Sequence, residues 1–398
     1  MISLLRKITP SFLLGWYHFI LVFLGAFLYR FPSKKIKVIG ITGTNGKTTT
    51  VEMISQILEE AGFKVAALSS INFKINKKIW PNKLKMTMPG RLKLQKFLRQ
   101  AVNNKCQYAV LEVTSEGIKQ HRHRFIDFNT AVFTNLTPEH IEAHGSFEKY
   151  RAAKGELFKA CKNIHIVNQD DPNAEYFLQF PSAKKFLYGQ KDKNLLLYNT
   201  KLLGEFNVYN ALAAAKVGLA QGIDWAICKK AIEKVEVIPG RMEEVISEPF
   251  KVFVDYAFTP NALEKVYQTL TEKLKNKKTE KLICVLGACG GGRDKWKRPV
   301  LGEIAGKYCD EVIITNEDPY DENPLEIIKQ VAKGTSGKAK KILDRREAIR
   351  EALGLAKPND AVIITGKGCE PWICVASGKK IPWDDREIVR KEFKKLSL

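Results

Sequence analysis

Residues 43–49 read Gly43-Thr44-Asn45-Gly46-Lys47-Thr48-Thr49, set between an apolar run, Ile36–Thr42, and a helix-like segment, Thr48–Ala61, that closes at Gly62. A strand that turns through glycines into a helix points backbone N–H groups at one spot, which suits phosphate oxygens. Lys47 adds a positive charge there, and Thr48 or Thr49 adds a hydroxyl for a magnesium ion. The spacing GxxGKT is shorter than the full nucleotide-binding pattern, so the strand–turn–helix setting carries the reading. That setting also constrains the fold, since it begins a parallel sheet.

The alternation continues along the chain. Strand-like runs occur at Lys64–Ser69, Tyr108–Val113, Thr130–Phe133 and Ile164–Asn168, with a hairpin around Asn76. Helical stretches at Leu92–Asn103, Phe147–Phe158 and Asn207–Gln221 separate or follow them. After Pro239-Gly240 the pattern restarts, with strands at Lys251–Val254, Leu282–Gly287, Glu311–Thr315 and Ala361–Thr365. We expect an α/β protein. A central ATP-binding domain with a parallel-rich sheet covers 36–238, and a smaller Rossmann-like α/β domain covers 239–398.

Charge narrows the partners. There are 65 Lys and Arg against 43 Asp and Glu, a formal net charge of +22. Such an excess favours anionic partners. No zinc finger, homeodomain or aromatic–basic RNA signature accompanies it, so nucleic acid is not expected. The lysine-rich stretch Lys273–Lys281 reads as a solvated helix end and loop. Eight cysteines are scattered without a CxxC pair, which fits free thiols in a reducing cytoplasm.

Residues 1–35 stand apart. Positions 11–31 are largely apolar and carry one formal charge, Arg30, with Arg6, Lys7, Lys34 and Lys35 on the flanks. Twenty helical residues span about 30 Å, enough for one membrane pass. Trp16, Tyr17 and His18 equally suit a helix lying at an interface. Membrane association through 11–31, on the inner face of the cytoplasmic membrane, is the expectation; a helix docked on the protein itself is the rival. No small-residue cleavage site follows, so a signal peptide is not expected.

Three further positions suggest chemistry. Glu112 ends a strand, where a carboxylate can hold a second divalent ion. His140 lies beside Glu139, Glu142 and His144 and could ligate a metal. Lys154 lies in YRAAKGELF; a lysine facing magnesium would be repelled unless modified.

The motifs together resemble the Mur ligase superfamily, and most of all its members that add the third residue to UDP-N-acetylmuramoyl-dipeptide. They are GTNGKTT at 43–49, EVTSEG at 112–117, QHR at 120–122, TNLTPEHIEAHG at 134–145, YRAAKGELF at 150–158, GEFNVYN at 204–210, IPGRME at 238–243, VDYAFTP at 254–260, GGGRDKWKRP at 290–299, GKGCE at 366–370 and IPWDDRE at 381–387. They follow the family's order and cover 36–398.

The resemblance implies ATP and Mg²⁺ as cofactors. Gly43 to Thr49 would hold the phosphates. Thr48, Glu112 and His140 would serve the magnesium sites. Lys154 resembles the lysine that carries a carbamate; with Lys47 and His140 it completes the implied catalytic set. Asn207 and Asn210 resemble positions near the adenine, and Arg241 and Asp255 resemble nucleotide contacts of the second domain. Thr87, Ser115, Gln120 and Arg122 resemble groups that hold the muramoyl-peptide acceptor. Arg293, Asp318, Gly366 and Glu370 resemble the incoming amino-acid site. The implied reaction forms an amide through an acyl phosphate, with two domains closing around the substrates.

The chain departs from the family in several places. About 35 residues precede the first strand, too few for the family's separate UDP-gripping domain, so UDP would be held otherwise or the acceptor would be lipid-linked. Diaminopimelate-adding members carry Asp-Asn-Pro-Arg, whereas this chain has Glu317-Asp318-Pro319-Tyr320. Tyr320 supplies no cation, leaving lysine-like and diaminopimelate-like substrates both open. Phe258 and Cys369 stand where the family has histidines, and Met88 where it has a threonine. A folylpolyglutamate synthetase-like ligase, and a Mur-like subunit of an amidotransferase complex, are the alternatives.

Overall fold

The computed structural model describes residues 11–84, 86–195, 200–275 and 281–396. Two compact units interleave along the chain. The first holds residues 1–136, 148–200 and 207–235, and the second holds 137–147, 201–206 and 236–398.

In the first unit an eight-stranded sheet has the order β4-β3-β2-β5-β1-β6-β7-β8. These are β1 Lys37–Thr42, β2 Val65–Leu68, β3 Asn72–Ile75, β4 Lys78–Pro81, β5 Tyr108–Glu112, β6 Phe128–Phe133, β7 Ile164–Asn168 and β8 Lys184–Tyr188. Strands β2, β5, β1, β6, β7 and β8 are parallel, and the β2–β3–β4 meander is antiparallel. The β3–β4 turn has Asn76 at a φ of 54°, as a tight hairpin needs. The central strands are apolar on both faces, because helices cover both sides of a parallel sheet. Strand β1 is buried from Val38 to Thr42. It sits between β5 and β6, with Ile41 opposite Glu112 and Thr42 opposite Phe133. The loop after β1 therefore opens beside the ends of both neighbours, at the crevice where ligands bind in such sheets.

Three helices of this unit matter below: α1 Ser11–Leu28, α2 Lys47–Glu60 and α3 Arg91–Asn103. The expectation of a membrane-crossing pass at 11–31 is corrected. Among the described residues no helix is long and apolar enough to cross a membrane. Past the end of α1, Arg30 and Phe31 both have positive φ, and Pro32 follows, which cannot continue a helix. It packs on α3, where a Cβ at Gly25 would lie 3.4 Å from the Leu92 Cα. Val22 and Ala26 are buried, and the Arg99 guanidinium donates to the Tyr29 and Arg30 carbonyls.

The second unit has a six-stranded sheet, order β13-β12-β11-β14-β10-β9, built from β9 Glu243–Ile246, β10 Lys251–Asp255, β11 Leu282–Leu286, β12 Glu311–Ile314, β13 Ala339–Lys341 and β14 Ala361–Thr365. Only β9 runs antiparallel. One face carries a core that includes Leu263, Tyr267, Leu301 and Ile328; the other carries Ile349, Leu353, Ile388 and Val389. A short antiparallel pair, β15 Trp372–Cys374 with β16 Lys380–Pro382, follows β14. The lysine-rich stretch read as helix end and loop lies outside the described residues at 276–280.

Candidate functional site

The loop after β1 leaves no room for side chains at its two glycines. A Cβ at Gly43 would lie 1.9 Å from the Thr134 Oγ1, and one at Gly46, whose φ is 82°, would lie 2.2 Å from the Asn210 Oδ1. Asn45 N donates to the Asn135 Oδ1 at 3.0 Å, and Thr44 N to the Asn135 carbonyl at 2.8 Å. The loop is thus fixed from the end of β6, and Lys47 opens α2 directly behind it.

Lys47 Nζ donates to the Gly43 and Thr44 carbonyls at 3.1 and 2.8 Å and lies 3.9 Å from Glu112 Oε1. The Thr48 hydroxyl donates to Glu112 Oε2 at 2.8 Å and meets the Ser70 hydroxyl at the same distance. Ser70 N also donates to Glu112 Oε2. Hydroxyls and a carboxylate beside a phosphate loop are hard oxygen donors, the set that magnesium prefers. Thr49 is buried in the first turn of α2. Asn210 Nδ2 donates to the Asn207 Oδ1 at 3.0 Å, and both are buried.

Lys154 reaches the same loop from the 147–160 helix. Its ammonium donates to the Gly43 carbonyl at 2.6 Å, and the residue is 2% exposed. Burial, then the neighbouring Lys47 charge, holds its pKa well below the ordinary lysine value. The Tyr150 ring lies 4.7 Å from its Nζ. The charged form of this amine is therefore disfavoured relative to that of an exposed lysine.

A second group lies in the same unit. Arg122 donates to the Met88 carbonyl and, at 2.7 Å, to the Gln120 Oε1. Arg91, at the start of α3, donates to the Gln120 carbonyl at 3.3 Å and approaches its Oε1 at 3.4 Å. Burial, then Arg91, pushes the Arg122 pKa down. Two guanidinium groups converging on one amide form a basic cradle. Ser115 is buried at the start of the 115–119 helix, and Thr87 precedes Met88. Sequence reading passed over Arg91; its only local signal is its place just after Pro89-Gly90.

The second unit gathers residues at the ends of its parallel strands. Asp318 is bound by Lys367 Nζ through both oxygens at 3.1 Å, and its Oδ1 accepts from Cys374 N. Lys367 also donates to Glu370, whose other oxygen accepts from the Tyr256 hydroxyl at 2.9 Å. Glu317 Oε2 is buried with no hydrogen-bond partner among the described residues. Burial, then Asp318, pushes Glu317 up to about 7. Gly366 has a φ of 106°, and a Cβ there would stand 2.8 Å from Glu317 Oε2. Cys289 approaches Glu317 and Asp318 closely enough for the three to surround a cation. Burial, then the Glu317 and Asp318 carboxylates, push its thiol pKa up. Lys367 is not singled out by the sequence pattern, and Glu317 enters there only as part of the changed Glu317–Tyr320 motif.

His140 also belongs to this unit, with its Nδ1 3.5 Å from Arg293 Nη1. Its segment is fastened by side chains. Asp294 accepts from the Ile141 and Glu142 N–H groups at 3.2 and 2.9 Å, and Glu142 accepts from Lys295 N at 2.7 Å. Asp255 accepts from Met242 N and Ala257 N at 2.7 and 2.6 Å, a brace for the 240–242 turn. Arg241 stacks on the Tyr256 ring at 4.5 Å.

Residues 41–199 match the Mur ligase middle domain, and residues 240–368 match the Mur ligase, glutamate ligase domain. The chain is 40% identical, over 92% of its length and 80% of the relative's, to a UDP-N-acetylmuramoyl-L-alanyl-D-glutamate--2,6-diaminopimelate ligase of Syntrophomonas wolfei. It is 34% identical to a UDP-N-acetylmuramyl-tripeptide synthetase of Roseiflexus, over 94% of this chain and 81% of that one. Among solved structures, a UDP-N-acetylmuramoyl-L-alanyl-D-glutamate--2,6-diaminopimelate ligase aligns at a TM-score of 0.56 and 29% identity, covering 90% of this chain and 78% of that one. A folylpolyglutamate synthase of Mycobacterium tuberculosis, complexed with ADP and AMPPCP, aligns at 0.68 and 17% identity, covering 87% and 92%. At that identity the likeness concerns the fold alone.

Proposed function

This chain belongs to the Mur ligase family of ATP-dependent, amide-forming ligases, and from that premise we propose that it adds the third amino acid to a UDP-N-acetylmuramoyl-dipeptide, or a related muramoyl-peptide acceptor, in peptidoglycan precursor synthesis. The observation that carries the reading is Lys154, buried against the Gly43 carbonyl of the phosphate loop with Lys47 as its charged neighbour. A plain phosphate-binding loop has no use for a second buried amine.

In this reading residues 36–238 form the donor domain and 239–398 the domain of the incoming amino acid. Gly43 to Thr49 and Lys47 hold the ATP phosphates. Thr48 and Glu112, with His140, would hold magnesium, which when bound neutralises phosphate charge. The neutral Lys154 amine adds to carbon dioxide, forming an N–C bond and releasing a proton; the carbamate anion replaces a cation that the site would otherwise repel. Asn207 and Asn210 are the positions that the family resemblance assigns to the adenine, and Arg241 and Asp255 those it assigns to the nucleotide in the second domain.

The Arg122–Gln120 pair, with Arg91, Thr87 and Ser115, supports binding of an anionic acceptor. The acceptor's terminal carboxylate attacks the γ-phosphorus, ADP leaves, and the free amine then displaces phosphate from the acyl carbon. Glu317, Asp318, Gly366 and Glu370, with Arg293, support a diamino acid of the lysine–diaminopimelate class. Buried acidic groups can take its ammonium groups, and Arg293 its carboxylate. ATP as donor puts the reaction in the cytoplasm. Attachment to the inner face of the membrane is part of this reading, through α1 as a surface helix.

The test is ADP release and product mass with UDP-muramoyl-dipeptide or lipid-linked muramoyl-dipeptide, each crossed with lysine and diaminopimelate. Turnover with either amino acid is expected. Turnover with dihydrofolate and glutamate, and none with muramoyl acceptors, would overturn the proposal.

A further inference from the structure

Helix α1 has no polar side. At 100° per residue, Val22, Gly25 and Ala26 share the face that packs on α3, and Trp16, Tyr17, Ile20, Leu24 and Phe27 fall on the opposite one, with Phe19 and Phe23 on its flank against the Phe125 ring. That outward face is open: Trp16 is 63% exposed and Phe27 66%. Single exposed apolar residues are ordinary, but a continuous aromatic and aliphatic face from Trp16 to Phe27 marks an interaction surface.

Two observations select the partner. The first is charge. No acidic residue occurs in α1, in residues 29–37 or in α3. Arg30, Lys34 and Lys35 stand exposed just past the end of α1, and Lys93 and Lys96 stand exposed on the helix beneath it. An apolar face bordered mainly by cations, with exposed Asp127 beside Ser33 as an acidic neighbour, complements an anionic lipid surface, where acyl chains take the rings and headgroups take the lysines. The second is attachment. Backbone contact at Gly25 and the Arg99 bonds to Tyr29 and Arg30 fasten α1 lengthwise to the folded unit, which suits a helix lying in the membrane plane.

We infer that the outward face of α1 seats this protein on an anionic bilayer surface, with the helix in the plane of the interface and Lys34 and Lys35 at the headgroups. The inference deepens the attachment reading above, while the ligase reading stands or falls on its own assay.

The experiment is vesicle flotation of the full chain. Vesicles of phosphatidylcholine alone are compared with vesicles containing about one-third phosphatidylglycerol, at low and high salt. Wild type is expected to float with the anionic vesicles and to remain below with the neutral ones. Ile20→Glu/Phe27→Glu and Lys34→Glu/Lys35→Glu should each lower the bound fraction about tenfold. Unchanged helix content, melting temperature and turnover of soluble substrates would show that these variants fold. Wild type that floats with neither vesicle, or double variants that float as wild type does, would overturn the inference. So would a lipid-independent dimer dispersed by Ile20→Glu/Phe27→Glu, which would give the face to a second copy of the chain.

Discussion

Lys297 and Glu139 form an ion pair sealed from solvent, with Nζ 2.7 Å from Oε1 and each side chain 2% exposed. The second carboxylate oxygen has no hydrogen-bond partner among the described residues, and burial, opposed by Lys297, raises the Glu139 pKa. The pair ties the 137–147 segment, which carries His140, to the start of the 297–308 helix. Removing one member leaves a buried charge without its partner, so we expect Lys297→Met to cost about 3–5 kcal/mol. Chemical denaturation would measure it. Glu139→Gln with Lys297→Met should recover much of the loss; a single variant as stable as wild type would show that the pair contributes nothing.

Glu317 gives a pH signature. Its folded value of about 7 lies above the ordinary 4.5, so the folded chain holds that proton more tightly than the unfolded one. Its stabilising contribution is complete below pH 4.5 and is lost as pH rises through 7. Glu317→Gln, always neutral, should remove a fall in stability on the order of 3 kcal/mol across that window. Unfolding free energies measured between pH 4 and pH 8 test this. Parallel curves for the two proteins would contradict it.

Lys154 predicts a dependence on carbon dioxide. A neutral buried amine can be carbamylated, so turnover should fall in degassed buffer and return with bicarbonate. Lys154→Ala should lose roughly 10²–10³ in kcat, the scale of one lost electrostatic group, and should ignore bicarbonate. Equal bicarbonate responses from both proteins would remove Lys154 from the role.

The paired arginines predict an effect on acceptor binding. Arg122 spans Met88 and Gln120 with a planar fork that lysine cannot copy. Arg122→Lys should raise the KM for the muramoyl acceptor about tenfold or more while leaving that for ATP near wild type. Arg91→Ala should do the same, though more weakly. A rise confined to the KM for ATP would assign the pair to the nucleotide instead.

Much of the candidate site around residues 43–49 was legible because it is local. The glycines of the loop, Lys47 and Thr48 are consecutive, and the strand–turn–helix pattern that uses them is written in adjacent residues. The apolar N-terminal run was legible as a helix, but its length alone left spanning, surface and docked states open. Packing along α3, through the small residues at Gly25 and Ala26, was not written in the run itself.

Near neighbours in the chain dictate the alternating elements, the glycine loop at 43–49 and the residue types available for chemistry, since periodicity and turn propensity are local. Which of those residues meet depends on the three-dimensional packing. Lys154 is 111 positions from Gly43, and Lys297 is 158 from Glu139. Parallel register brings Glu112 beside the end of β1, and with it to Thr48. Burial then decides the chemistry: the surrounding low-dielectric core, which no local pattern records, is what moves the Lys154 and Glu317 protonation equilibria.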